Sequence, residues 1–383
     1  VTTPTFVINT WTAWEEPPRA RHQVASELAT RYPVCFITCN RRGKPGLRIE
    51  QVDARLSVLR PFWPVDYRLR YRLPIVNGLY QGWLFNTLSR SGLIGGSSWV
   101  LNFDHTATRL SRFHRQTVYY CNDDHIGNAA LTGFPISAYH RWAEERVATQ
   151  ASRCVGTSPY LVEKLSRYNL RTHLITLGAP ELSFKPDPPA ARHSPTGLRT
   201  IGLVGFINSR KVPVSLIKRL AEGNSVRVVL VGPVSEDFRQ ALTRPERVIL
   251  RGVLTGEALQ REVAGFDVAI APYDLSNSNK GVTPNKMWLY LALGKPVVVS
   301  PLPNLAAWDL PPGVIYQAGS EEEFLRMIDR AYDEDDVAMF HRRLKCATEN
   351  SWPRKIDQLL ELLGLRSEAV EDQVGVHDPA PSD

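Results

Sequence analysis

The run Gly281-Val282-Thr283-Pro284-Asn285-Lys286-Met287 places a hydroxyl, an amide and an ammonium group where an apolar stretch begins. That stretch, residues 287–293, is followed by Gly294-Lys295-Pro296-Val297-Val298-Val299, so it reads as a buried helix with Gly294 as its C-cap and then a strand of a parallel sheet. Pro284 suits the first helical turn. Thr283, Asn285 and Lys286 then stand at the helix N-terminus, among free N–H groups and the positive end of the dipole, where a lysine is unfavourable unless an anion compensates it. A diphosphate is the anion this arrangement suggests. A plain buried helix feeding a strand accounts for residues 289–299 but not for Asn285 and Lys286 at that end.

A second candidate is Thr117-Val118-Tyr119-Tyr120-Cys121-Asn122-Asp123-Asp124-His125, where two adjacent carboxylates follow an apolar strand. A carboxylate there can accept a proton from an attacking hydroxyl, with Asp124, His125 or the Asp104-His105 pair as alternatives to Asp123. The same two aspartates can instead cap a helix or turn. Gly205-Phe206-Ile207-Asn208-Ser209-Arg210-Lys211 ends another strand. Gly205 would let backbone approach a phosphate that Asn208, Arg210 and Lys211 hold, although the spacing departs from the dinucleotide fingerprint, and an ordinary turn with exposed basic residues is the other reading. Trp11, Trp14, Glu15 and Glu16 follow the first strand; tryptophans stack on sugar faces and Glu16 can orient a hydroxyl, or the loop simply packs.

These residues need a scaffold of strands whose carboxyl ends share a cleft. Residues 5–9, 34–39, 99–103, 117–121, 153–156 and 174–177 read as strands, with a helix over 20–31. After a proline-broken stretch, strands at 200–204, 226–231, 248–250, 268–271 and 297–299 alternate with helices at 214–222, 235–242, 257–264 and 284–293. Further helices are expected at 321–332 and 354–363. The division that follows is a first domain over 1–180, a linker over 181–198, a second domain over 199–345, a crossing helix over 346–364 that is structural, and a disordered tail over 365–383.

A chain of 383 residues is long enough for two domains, and 43% hydrophobic with 22% charged residues is a globular composition. Residues 1–190 hold 23 Lys and Arg against 14 Asp and Glu, so the first half is the basic one. No nucleic-acid-binding pattern accompanies that excess, which excludes nucleic acid as the expected partner. It is densest over 41–72, where Arg60-Pro61-Phe62-Trp63-Pro64 and Tyr67-Arg68-Leu69-Arg70-Tyr71-Arg72 interleave arginine with aromatics, as suits an anionic membrane surface or a solvated basic loop. Five cysteines without metal-ligand spacing suggest a reducing compartment, with Cys35 and Cys39 as small core residues on one strand face. No bilayer-spanning run and no signal-peptide pattern are visible, so a cytoplasmic protein is expected, at most peripheral on the inner face of the plasma membrane.

The order Pro-Asn-Lys-Met, an aromatic, Tyr-Leu-Ala and Gly-Lys-Pro-Val-Val resembles the donor-site helix of nucleotide-sugar glycosyltransferases. Their architecture is GT-B, an α/β fold of two Rossmann-like domains facing across a cleft, with a C-terminal helix crossing back to the first. The run Arg251-Gly252-Val253 and the strand ending in Pro272-Tyr273 resemble the base-binding segment. The resemblance implies that Gly252 and the Val253 backbone receive the base and that Tyr273 opens toward the sugar. Residues 117–125 and the loop Pro17-Pro18-Arg19-Ala20-Arg21-His22 are remotely similar to glucuronosyltransferases of xanthan assembly, which implies Asp123 as base and a carbohydrate or lipid-linked acceptor in bacterial surface polysaccharide synthesis; Arg19 of that loop, with Trp14, Glu16 and His105 after their strands, is expected on the acceptor side. Retaining members usually carry two glutamates where this chain has Gly281 and Leu289, so inversion is implied. With no Asp-x-Asp motif, neither metal nor cofactor is expected. The alternatives are a nucleotide-sugar epimerase of the same fold and a silent sugar-nucleotide-binding assembly protein.

Overall fold

The computed structural model describes residues 3–127, 138–189, 198–223, 225–242, 245–274 and 282–365. Most of the expected tail, part of the linker and Gly281 lie outside them. The first sheet comprises β1 (Phe6–Asn9), β2 (Val34–Ile37), β3 (Arg41–Arg42), β4 (Gly46–Asp53), β5 (Leu56–Trp63), β6 (Trp99–Asn102), β7 (Thr117–Cys121), β8 (Arg153–Gly156) and β9 (Thr172–Leu174). Its order is β3-β5-β2-β1-β6-β7-β8-β9, parallel throughout, with β4 folded back antiparallel on β5. Every residue of β1, β2, β6 and β7 is buried, as continuous apolar strands covered on both faces require.

The second sheet comprises β10 (Arg199–Val204), β11 (Val226–Val231), β12 (Val248–Gly252), β13 (Val268–Ala271), β14 (Val297–Val299) and β15 (Ile315–Gln317). All are parallel, in the order β12-β11-β10-β13-β14-β15. Strand order reverses between β10 and β13 here and between β1 and β6 in the first sheet. Crevices for ligands open at the carboxyl ends of such strand pairs.

The Trp352–Leu362 helix returns to the first domain, where Asp357 pairs with Arg31 at 2.5 Å. Its start is fastened by backbone bonds from Ala179 N–H to Asn350 O at 2.8 Å and from Trp352 N–H to Ala179 O at 3.2 Å. Gly178 permits this approach, since a Cβ there would lie 2.8 Å from the Trp352 nitrogen.

Three segments differ from the sequence reading. The basic segment over 41–72 is not a loop but β3 to β5 and a short helix, Tyr67–Arg70, and it turns two arginines inward. Arg60 binds Glu15 at 2.6 Å and Glu50 at 2.9 Å, while Arg70 lies 4.5 Å and 4.0 Å from the ring centres of Tyr71 and Tyr80. The Pro74–Arg90 helix went unread because Gly78 and Gly82 break its pattern; they make room for the Arg109 side chain, which a Cβ on Gly78 would approach to 3.1 Å. At the other end, residues 346–349 close the Val337–Glu349 helix and the crossing helix starts only at Trp352. Cys39 lies beyond the end of β2, its N–H bonded to Thr12 O at 3.0 Å.

Candidate active site

On the second-domain side, β10 runs into Gly205, whose φ of 135° only glycine adopts freely. A Cβ at Gly205 would stand 3.6 Å from Lys286 Nζ, so the bare Cα leaves the ammonium its place. Lys286 begins the Lys286–Ala292 helix, two residues later than Pro284 suggests; Pro284 O accepts the Met287 N–H at 3.0 Å in a preceding turn. Tyr290 of this helix accepts the Val204 N–H at 2.8 Å through its hydroxyl oxygen, which locks the helix against the end of β10.

The Lys286 ammonium lies 4.9 Å from the centre of the Tyr273 ring. Burial, aided by the positive charge of Lys211, lowers its pKa to about 7. Tyr273 is itself held by Ser300, whose Oγ accepts the Tyr273 N–H at 2.9 Å and lies 2.7 Å from the Tyr273 carbonyl oxygen. Asn208 Oδ1 accepts the N–H groups of Arg210 at 3.1 Å and Lys211 at 3.0 Å, a turn that sets two exposed basic side chains at the crevice rim. Gly252, at φ 68°, gives its carbonyl to Gly232 N–H at 2.7 Å and is followed by an exposed Val253. The Thr283 hydroxyl is buried without a partner, while the exposed Asn285 makes no side-chain cap bond. Leu289 is packed in the core and offers a ribose nothing to bond with.

On the first-domain side, Asp123 sits at the end of β7, half-buried, its carbonyl taking the His125 N–H at 3.0 Å. Its charge acts in two directions. Tyr273 of the second domain, shifted upward chiefly by burial, is raised further by Asp123, and the same carboxylate opposes the fall in the pKa of Arg21. Asp123 is therefore near enough to both Tyr273 and Arg21 for its charge to act on each.

Asp124 points the other way. Lys164 reaches it at 2.8 Å and Tyr160 at 3.0 Å, and Lys164 also binds the buried Glu144 at 2.6 Å. Against the upward push of burial, Lys164 holds the Asp124 carboxyl below the usual range. A carboxylate so committed is a buried structural pair, not a base for an incoming hydroxyl.

The remaining first-domain expectations are also redistributed. Trp14, half-buried, packs its ring against His22 and Phe36, at 5.4 and 4.9 Å between centres. Glu16 accepts the Ala13 N–H at 3.1 Å and pairs with Arg19 at 3.4 Å, closing its own loop. Asp104 is spent on Thr106 and Tyr71. His105 does belong to the crevice: its Nε2 meets His140 Nδ1 at 3.0 Å, its ring stacks on His125 at 5.3 Å, and burial lowers its pKa. Trp11, Arg21 and His125 complete this wall. Arg21 lies 5.2 Å from the Trp11 ring, and Trp11 packs edge-on against His125 at 5.6 Å. Arginines at 19 and 21 with no acid in the first turn of the Ala20–Ala29 helix violate the dipole rule as Lys286 does, and that signal could have found Arg21.

Comparison with known proteins agrees with this fold. Residues 199–334 match the family described as glycosyl transferases group 1. The sucrose-phosphate synthase of Thermosynechococcus elongatus superposes with a TM-score of 0.75 at 15% identity, over 95% of this chain and 98% of that one. HepE of Anabaena, crystallised in complex with UDP and glucose, superposes with a TM-score of 0.66 at 14% identity, over 95% and 100%. A Bacillus subtilis (strain 168) protein named as the teichuronic acid biosynthesis glycosyltransferase TuaH is 25% identical over 277 residues, 66% of this chain and 68% of its own length. The class is thus GT-B. Within that fold, the match to glycosyl transferases group 1 lies in the second domain, over residues 199–334.

Proposed function

We propose that the chain transfers a sugar from a UDP-sugar to a carbohydrate acceptor with inversion, using Asp123 as general base and no metal ion. The observation that carries this reading is the cross-cleft arrangement of Asp123, Tyr273 and Lys286. The acceptor hydroxyl gives its proton to Asp123 as its oxygen bonds to the anomeric carbon from the face opposite the diphosphate. The bond from that carbon to the β-phosphate oxygen breaks, and UDP leaves with the electron pair. Lys286, with Lys211 and Arg210 at the rim, neutralises the departing charge, and the chain past Gly252 receives the base. The TuaH and HepE likenesses support a UDP donor and a role in bacterial surface polysaccharide synthesis.

The acceptor in this reading is lipid-linked, at the cytoplasmic face of an anionic membrane. Leu69, Leu73, Ile75 and Leu79 are 40–80% exposed beside the exposed Arg68 and Arg72, a pairing that suits the headgroup boundary. No helix among the described residues is long and apolar enough to cross a membrane.

The test is incubation with a panel of UDP-sugars, following release of UDP to water and to acceptor. Wild-type protein releases UDP and Asp123→Asn binds UDP without releasing it from the sugar. Binding with no release by the wild type would favour the silent assembly protein, and interconversion of the donor sugar alone would favour the epimerase.

A further inference from the structure

Among the described residues, four side chains on the first-domain wall hold buried nitrogen atoms with no hydrogen-bond partner: Nε and Nη1 of Arg21, Nε1 of Trp11, Nε2 of His125 and Nδ1 of His105. Native proteins leave few such groups unpaired, and a run of them in one crevice signals something that binds there. Arg21 is the most telling. It is 1% exposed, yet among the described residues no carboxylate forms an ion pair with it. A buried charge without a partner is strongly unfavourable, and a guanidinium cannot escape by losing its proton near neutral pH. Even with burial drawing it down, its pKa stays at about 10.

The unpaired atoms also agree in kind. Guanidinium and indole nitrogens only donate, and each imidazole can donate through its free nitrogen. Arg21 stands in the first turn of a ten-residue helix, at the positive end of its dipole, without an acid to balance it. A neutral hydroxyl would satisfy one or two of these donors. A compact oxyanion satisfies several and also balances the charge.

We infer that the acceptor subsite binds an anionic group of the acceptor, a carboxylate or a phosphate, on Arg21, with Trp11 Nε1 and the His125 ring beside it. The inference rests on the sugar-transfer reading for the word acceptor, but the anion site itself does not depend on catalysis. Held there, the anion sits next to Asp123, whose charge acts on the same guanidinium, and so orients a neighbouring acceptor hydroxyl toward the base.

The experiment titrates UDP-saturated protein with glucuronate, glucose 6-phosphate and glucose, following melting temperature and calorimetric heat. At least one anionic sugar should bind tenfold or more tightly than glucose, and which one does so distinguishes a carboxylate from a phosphate. Arg21→Gln should erase the preference, and Trp11→Phe, which keeps the ring and removes the N–H, should cut it severalfold, with UDP affinity unchanged in both. Glucose binding as tightly as both anions, or a preference that survives Arg21→Gln, would overturn the inference. Should Arg21→Gln not fold, an undiminished preference in Trp11→Phe overturns it instead. Failure of UDP to bind the wild type would sink the sugar-transfer reading, while anion binding in the absence of UDP would leave the Arg21 site standing.

Discussion

Each crevice is built around a buried cation, and the two cations behave differently when taken out of water. The ammonium of Lys286 is a point charge that burial and Lys211 bring to a pKa of about 7, whereas the delocalised guanidinium of Arg21 falls only to about 10. At neutral pH Lys286 is therefore only partly protonated, and a bound diphosphate would restore its charge. The acceptor crevice stays charged whether or not it is filled. On the proposed reading, the donor side would hold its nucleotide through a lysine whose charge varies near neutral pH, and the acceptor side its anion through an arginine whose charge does not.

The sharpest way to break the division of labour is at the adjacent aspartates. Asp123→Asn should slow transfer by about 10²–10⁴-fold with UDP affinity kept, measured by initial rates and calorimetry. Asp124→Asn should instead cost stability, about 3–5 kcal/mol by the measure of a broken buried ion pair, seen as a lower midpoint in denaturant. Full activity in Asp123→Asn would remove this residue from the chemistry.

Lys286→Ala tests the donor half and should weaken UDP binding by about 1.5–3 kcal/mol, the worth of a hydrogen bond to a charged group. Unchanged affinity would dismiss Lys286 from the site. A smaller effect sharpens the contrast. Bound diphosphate raises the Lys286 pKa above its free value of about 7, so UDP affinity is fully developed below pH 7 and declines as pH rises toward the bound-state pKa. Calorimetry in buffers of different ionisation enthalpy should show proton uptake near pH 8 that Lys286→Ala lacks. The smallest effect concerns the rim at residues 68–79. Vesicle co-sedimentation should depend on anionic lipid, fall with salt and drop when Leu73, Ile75 and Leu79 become Ser; equal binding to neutral vesicles would dismiss the membrane claim.

The same contrast governs what the sequence disclosed. The second domain was legible because its strands are buried on both faces and read as apolar runs, and because Gly205, Gly252 and Lys286 stand at strand and helix ends where residue type is diagnostic. The end of β7, after which Asp123 follows, was legible for the same reason. The first domain hid more. Strand β4 is exposed along most of its length and shows no alternation, and the arginines at 60 and 70 look solvated in sequence but are buried by partners at Glu15, Glu50, Asn40 and Asn77. The anion wall joins Trp11, Arg21, His105 and His125 from four separate segments, and no linear spacing reveals that meeting. Trp14 and Glu16 were legible by residue type, but their partners His22, Phe36, Ala13 and Arg19 are defined only by the folded loop.

The bond pair between Ala179 and residues 350 and 352 has a mechanical meaning. The chain passes between the domains twice, once after Pro180 and once at Ser351, and these bonds hold the two passages side by side. Two passages so joined resist sliding past one another, since sliding would break both bonds at Ala179. On the proposed reading, a change of angle between the domains about this point would alter the separation of Lys286 from Asp123, and substrate admission and product release would use the same opening.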